Sequence, residues 1–542
     1  LFTTHTPVPA GHDYFTEDLL RVYISHYPER LNISWDTMMN LGKMHEGSNE
    51  KFSMSILATK LSQEVNGVSR IHGRVSQEMF SDLYKGYFPE ELHIGYVTNG
   101  VHYPTWTHKE MQELHKEHLG DKFINDQSNM DIWKKIDKVP SNEIWNIRKK
   151  LKSELMDYVK IRLTGDMTKR QESPSLIFNT INSLNENTLT IGFARRFATY
   201  KRAKLLFTDL DKLSALVNNP ERPIQLIYAG KAHPADKLGQ ELIQHIIKIS
   251  RMEQFIGKVI FVENYDIPLA QHLISGCDVW LNTPTRPMEA SGTSGEKAVM
   301  NGVLNFSVLD GWWGEGYVPG AGWALKEERT YENQDFQNIL DAETIYNLLN
   351  DEIGPLYYDV NNQGVPENWI KYMKKNFAEI APRFTMKRQV DDYYDKFYDT
   401  LFERARFINK DNYQMASQLA KWKNKMINSW ETIEVLDIET PNAEKEPLML
   451  GENFKAKVKI DLSNLDPEDI GLEIVFAQKE KDMISKIYKK FDLEISSFED
   501  GIATFEVEIP SKKVGVYDYI FRLYPKSEML PHRQDFGLVK WF

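Results

Sequence analysis

The chain has 542 residues, 41% of them hydrophobic, and a formal net charge of −12. This length predicts about three domains with a sizeable core, and the acidic balance argues against a general polyanion binder such as a nucleic-acid protein. No run approaches the ~18 apolar residues of a membrane span, and the single cysteine, Cys277, excludes a disulfide within the chain and fits a reducing, cytoplasmic compartment.

The first 180 residues mix helical and loop patterns. Leu31–Glu46 and Phe52–Val65 have helix-like apolar spacing, Ile94–Val97 reads as a short buried strand before a Thr98-Asn99-Gly100 turn, and Glu143–Thr164 as a charged amphipathic helix. Short apolar runs then recur at Leu189–Ile191, Gln225–Tyr228, Lys258–Val262, Asp278–Leu281 and Val303–Val308, each ending in a polar or glycine-containing loop. Such runs between helices predict a parallel sheet buried on both faces. Its ligands bind at the carboxyl ends of the strands, where Arg195, Lys231, Tyr265 and the loop beginning at Glu289 all fall. Cys277 follows an apolar run and reads as a small buried hydrophobe. Residues 365–430 are helical and rich in aromatics and lysines. Beyond residue 432 the period changes to two, as in Phe454–Ile460 and Phe505–Ile509, with Tyr517–Leu523 a further strand. That alternation predicts an antiparallel sandwich.

The nine residues Glu289-Ala290-Ser291-Gly292-Thr293-Ser294-Gly295-Glu296-Lys297 carry the strongest chemical signal. Little side-chain bulk separates a carboxylate from an amine, so main-chain N–H groups can approach an anion or a sugar. A helix start after Lys297 would favour phosphate, and a lysine beside a phosphate cradle is what a pyridoxal phosphate linkage needs. Alone, the pattern is also that of an ordinary turn and N-cap. Likewise Arg195-Arg196 with Tyr200-Lys201-Arg202 reads either as a cationic phosphate site or as a solvated basic turn. For Lys231, a place in the crevice and simple strand-end packing both stand. Asp310-Gly311-Trp312-Trp313 is expected to shape a pocket wall.

Six blocks in order resemble the α-glucan (glycogen/maltodextrin) phosphorylases. They are Thr4–Asp13, Asn66–His72, Thr98–Val101, Gly192–Arg202, Glu263–Tyr265 and Asn282–Trp313. The likeness is greatest to the short bacterial and archaeal branch. The resemblance implies an α/β fold: a two-lobed GT-B-like glycosyltransferase with Rossmann-like parallel sheets, its first lobe incomplete, plus a C-terminal antiparallel β-sandwich. It divides the chain into a partial N-terminal lobe (1–180), a C-terminal lobe with the cofactor lysine and return helices (181–431), and a β-sandwich accessory domain (432–542). It implies retaining phosphorolysis of an α-1,4-glucan or maltooligosaccharide by orthophosphate, giving glucose 1-phosphate, with pyridoxal 5′-phosphate as cofactor. No metal, nucleic acid or membrane is implied, and homo-oligomerisation and allosteric control stay open.

By motif match, Lys297 would carry the pyridoxal group, with Arg195, Thr293, Ser294 and Tyr265 towards the cofactor. Arg196 and Lys201 would hold the substrate phosphate. His5 and Asn99 would contact the glucosyl group from the first lobe, and Glu289, Ser291 and Gly292 from the second. A carbonyl at His5 could help stabilise positive charge at the sugar. Relative to the long branch, Glu296 is an acidic neighbour of the lysine and Asp266 replaces a cofactor-phosphate arginine. The chain begins inside a family block, so it reads as the C-terminal portion of a longer polypeptide. The family's glycine-rich phosphate loop then lies upstream of Leu1, and the chain alone could be an inactive fragment. A nucleotide-sugar-dependent glucan synthase of the same fold and a non-catalytic glucan-binding protein remain alternatives.

Overall fold

The computed structural model describes residues 1–325, 330–441, 449–480, 483–512 and 516–542. Near the start, three two- or three-residue strands, β1 (Phe2–Thr3), β2 (Val65–Gly67) and β3 (Ile94–Tyr96), form a parallel sheet in the order β1-β2-β3. Thr4 N continues this pairing to Asn66 O at 2.9 Å, so the segment before His5 is tied down.

The middle of the chain builds a six-stranded parallel sheet. Its strands are β4 (Leu189–Ala194), β5 (Ile224–Ala229), β6 (Val259–Val262), β7 (Val279–Asn282), β8 (Leu304–Val308) and β9 (Gly322–Leu325), in the order β9-β8-β7-β4-β5-β6. Every residue of β4, β5, β7 and β8 is buried. The reason is coverage on both faces. Ala194, Ile227, Ala229 and Trp280 pack under Leu155, Val159 and Leu163 of the helix Ser141–Lys169 and Leu273 of Ile267–Gly276. Phe193, Leu226, Tyr228 and Leu281 meet the opposite layer, with Leu213, Leu216 and Ile246. The chain runs outward from β4 through β5 to β6, then crosses to β7 on the other side of β4. The carboxyl ends of β4 and β7 therefore flank a reversal of strand order, where open α/β sheets collect ligands.

Buried charge fixes the long helix to this sheet. Lys152 Nζ donates to Asp278 Oδ2 (2.5 Å), Thr188 O (2.5 Å) and Tyr357 Oη (2.8 Å). Cys277 is buried, and burial raises its thiol pKa well above the usual range.

The final segment forms two four-stranded antiparallel sheets. Their strands are β10 (Glu434–Glu439), β11 (Asn453–Asp461), β12 (Ile470–Glu480), β13 (Met483–Asp492), β14 (Glu494–Glu499), β15 (Ile502–Pro510), β16 (Asp518–Pro525) and β17 (Lys540–Trp541). The orders are β10-β11-β15-β14 and β13-β12-β16-β17. Phe454, Ala456, Val458 and Ile460 alternate inward along β11, as their period requires. This core also takes in Trp422, Met426 and Trp430 from the preceding helix and turn. The segment docks on residues 1–180 through a buried guanidinium: Arg522 meets Glu473 of its own sheet and Glu91 across the contact.

The mixed α/β class with parallel sheets and C-terminal antiparallel sheets agrees with expectation, but two local readings are corrected. Leu31–Glu46 contains only the helix Trp35–Asn40: Asn32 adopts a left-handed conformation (φ 54°) and Ser34 then caps a new start by accepting from Thr37 N. Phe52–Val65 splits into a strand, the Ser53-capped helix Met54–Leu61, and β2. Both stretches contain an internal cap that ends one element and begins another.

Candidate active site

The loop after β4 is shaped by its neighbour. Gly230, directly after β5, has φ +150°, and a Cβ there would lie 1.9 Å from Arg195 O. Arg195 N donates to Ala229 O (3.1 Å) and Phe197 N to Lys231 O (2.9 Å), so the two loops run clasped together. Lys231 contributes its main chain to this clasp. Its side chain is exposed and lies outside the cavity lining.

After β7 the chain turns through Thr283–Met288 into the Glu289 loop. Gly292 takes φ +88° and caps the helix Thr293–Val299. The wall behind is Asp310–Trp313: Asp310 Oδ2 accepts from Glu289 N (2.9 Å), and Trp312 N donates to Ser291 O (2.8 Å). Gly311 (φ +53°) lets that wall close in, because a Cβ would stand 2.3 Å from Ser291 O.

These loops enclose one cavity of 380 Å³ together with the first segment. His5 and Asn99 line it from one side. Arg195, Arg196, Lys201, Tyr265, Glu289, Ser291, Gly292, Thr293 and Ser294 line it from the other. Lys297, like Lys231, Arg202 and Asp310–Trp313, is absent from the lining. It sits one turn along the helix from Thr293, with Nζ 3.7 Å from the Trp106 ring centroid. Burial lowers its pKa, with Glu296 opposing.

Glu289, 5% exposed, accepts from Lys201 Nζ at 2.7 and 2.6 Å and from Arg195 Nη2 at 3.2 Å. Burial works to raise its pKa, but the charges of Arg195 and Lys201 hold it below the usual carboxylate range. Burial, then the Arg195 charge, brings Lys201 down to about 8. Arg195 Nε and Nη1 are buried with no protein partner, which is what an oxyanion would satisfy. Asp310 is pushed up to about 7, mainly by burial. Glu296 is fully buried, and its carboxyl is held well above the usual range by that burial.

Arg202 corrects the expected charge cluster. Its guanidinium bonds Asp341 Oδ2 (2.6 Å), Thr283 O (2.9 Å) and Pro284 O (3.0 Å), so its charge supports the loop and does not face the cavity. Asp266 has a structural partner instead of a phosphate: it caps the helix Ile267–Gly276 by accepting from Leu269 N and pairs with Arg162 at 3.1 Å. Arg162 also donates to Asn264 O (2.9 Å), tying down the Tyr265 loop. Sequence reasoning missed this arginine and also Trp106, Thr6, Val68 and Met288 near the site. It missed as well the hold on Asn99, whose Oδ1 accepts from Gln389 (3.1 Å) and whose carbonyl accepts from Arg388 (2.9 Å). Among the described residues no group of three His, Cys, Asp or Glu is arranged to hold a metal ion, and no helix is long and apolar enough to cross a membrane.

The crevice at the sheet reversal thus gathers Arg195, Arg196 and Lys201, the Glu289 carboxylate, and the hydroxyls of Tyr265, Ser291, Thr293 and Ser294. The carbohydrate phosphorylase family model matches residues 15–313, and the glycogen phosphorylase C-terminal domain matches residues 430–542. The chain belongs to the carbohydrate phosphorylase family. It is 38% identical to the maltodextrin phosphorylase of Thermococcus litoralis, over all of this chain and 62% of that protein. It is 34% identical to the glycogen phosphorylase of Mycobacterium tuberculosis, over 99% of this chain and 63% of that protein. With the glycogen phosphorylase of Aquifex aeolicus it shares 40% over 74% of this chain and 57% of the relative. The chain thus spans less than two thirds of the length of each of these relatives.

Proposed function

We propose that this chain carries the reaction centre of a pyridoxal-phosphate-dependent α-glucan phosphorylase, a retaining glycosyltransferase that moves a glucosyl group from an α-1,4-glucan to orthophosphate. The carrying observation is the gathering, within one cavity, of unpartnered buried Arg195 donors, Arg196 and Lys201 with neutral hydrogen-bonding groups. In this reading the fold is a two-lobed GT-B type, with residues 1–180 part of the first lobe, 181–431 the second lobe and its return helices, and 432–542 an accessory sandwich. The setting is cytoplasmic.

The residues present suit the cofactor. Arg195 Nε and Nη1 offer buried donors without partners, Tyr265 and Thr293 bring hydroxyls to the same cavity, and Lys297 lies against the flat Trp106 ring. Lys297 would bear the pyridoxal group, with Arg195, Tyr265, Thr293 and Ser294 towards its phosphate. When bound, the cofactor supplies a phosphate whose second pKa near 6 allows proton exchange at neutral pH.

Arg196 and Lys201 hold orthophosphate and offset the repulsion between neighbouring phosphates, an effect that strengthens where water is excluded. His5 and Asn99 on one wall, and Glu289, Ser291 and Gly292 on the other, bind the glucosyl hydroxyls through directional hydrogen bonds. The His5 carbonyl would help stabilise positive charge developing at the sugar. Gln389 and Arg388 keep Asn99 in place.

The test is release of glucose 1-phosphate from a maltooligosaccharide and orthophosphate. Lys297→Ala is expected to abolish it. Arg196→Ala or Lys201→Ala is expected to lose about 2–4 kcal/mol of transition-state stabilisation, the scale for a preorganised charged contact. Full activity in Lys297→Ala, or normal phosphate kinetics in both cation variants, would reject the reading.

A further inference from the structure

Glu289 stands between two groups of residues that the proposed function assigns to different substrates. Its carboxylate accepts two contacts from Lys201 Nζ (2.7 and 2.6 Å) and one from Arg195 (3.2 Å). Ionised, a carboxylate offers about four acceptor positions, so these contacts take most of its capacity. The Lys201 and Glu289 side chains are 9% and 6% exposed, leaving little water to substitute for either partner. The loop backbone that carries Glu289 is held in place: its amide donates to Asp310, and the carbonyl of Ser291 accepts from Trp312 N.

We propose that Glu289 couples the two substrate subsites. A glucosyl hydroxyl donating to Glu289 competes with Lys201 for the same oxygens, and the released ammonium turns its donors to orthophosphate. Phosphate drawing on Lys201 in turn exposes Glu289 to the sugar. Each ligand therefore promotes the other, and linkage requires the factor to be equal in both directions. Glu289 is then more than a sugar contact: it makes the cations of the cavity respond to occupancy by the sugar. The inference rests on reading this cavity as a joint glucosyl and phosphate site.

Calorimetry on the 542-residue chain tests it, with orthophosphate as one ligand and glucose as the other, since glucose has no glycosidic bond to cleave. The expected result is phosphate binding tightened by about fivefold or more in saturating glucose, with the same factor for glucose in saturating phosphate. Glu289→Gln keeps the shape and removes the charge. It is expected to bind phosphate more tightly than the wild type without glucose and to bring the coupling factor close to one. Lys201→Gln is expected to weaken phosphate binding and also abolish the coupling, with circular dichroism confirming that both variants fold. Undiminished coupling in Glu289→Gln, or independent binding of the two ligands by the wild type, overturns the coupling and leaves the joint site standing. Failure of the wild type to bind either ligand overturns the joint site itself, and the coupling with it.

Discussion

Gly230→Ala is the most local test of how the cavity is built. Gly230 directly follows β5 at φ +150°, a region L residues enter at a cost of about 1–3 kcal/mol. The new Cβ would lie 1.9 Å from Arg195 O and 2.7 Å from the Phe197 ring. The first contact is with main chain, which cannot rotate away like a side chain, so the two loops must separate by about 1 Å or more. Overpacking of this kind costs about a further 1–3 kcal/mol. Separation also strains the flanking bonds from Arg195 N to Ala229 O and from Phe197 N to Lys231 O. The total expected destabilisation is about 2–6 kcal/mol, with Arg195 displaced from Glu289. Gly364→Ala is the control: its φ is +72°, but nothing lies within 4 Å of its Cβ, so only the backbone cost applies. The assay is denaturant unfolding alongside orthophosphate affinity. Gly230→Ala is expected to lose both stability and phosphate binding, and Gly364→Ala to lose about 1 kcal/mol and no binding. Wild-type stability and affinity in Gly230→Ala would refute the clasped-loop geometry.

Three further outcomes follow from buried charge. Asp310 has a folded pKa of about 7, above its ordinary 3.8, so its contribution to stability is full below the unfolded value and is lost as pH rises through 7. This gives a decline of about 2–3 kcal/mol between pH 5 and pH 8, which Asp310→Asn should remove from a pH series of unfolding curves. Lys152→Met leaves Asp278 buried without its cation, with the Thr190 amide still on Oδ2; unfolding free energy should fall by about 3–5 kcal/mol, and a loss under 1 kcal/mol would contradict the buried ion pair. Arg522→Met removes the cation shared by Glu473 and Glu91, each with a 3% exposed side chain, leaving Arg533 on Glu473 and Lys490 on Glu91. It should lower the melting temperature and increase proteolysis near Glu91, and an unchanged digestion pattern would contradict the contact between the C-terminal sheets and residues 1–180.

The parallel sheet was legible because its strands are buried on both faces, so β4 to β8 appear as apolar runs ending in polar loops. β9 was not: Gly322–Leu325 is four residues long and opens on a glycine at φ +155°. β10 was missed for the opposite reason, since all six of its residues are exposed and no alternation marks it. The loops at the strand ends were readable because their small residues and charges are contiguous. Arg202 was misjudged because adjacency does not fix direction: its left-handed backbone (φ 49°) turns the guanidinium towards Asp341 and the Thr283 carbonyl. Gln389 on Asn99, Tyr393 on Asn66 and Arg162 on Asp266 join residues about 100 to 330 positions apart, and no local pattern encodes such pairings.

The central claim is the proposal that Lys297, one helical turn beyond the cavity-lining Thr293, carries pyridoxal phosphate. The direct measurement is incubation of the protein with pyridoxal phosphate, borohydride reduction and peptide mapping by mass spectrometry. The account predicts a single dominant pyridoxyl label on the peptide containing Lys297, lost in Lys297→Ala. Label spread over surface lysines, or a labelling pattern that Lys297→Ala leaves unchanged, would contradict it.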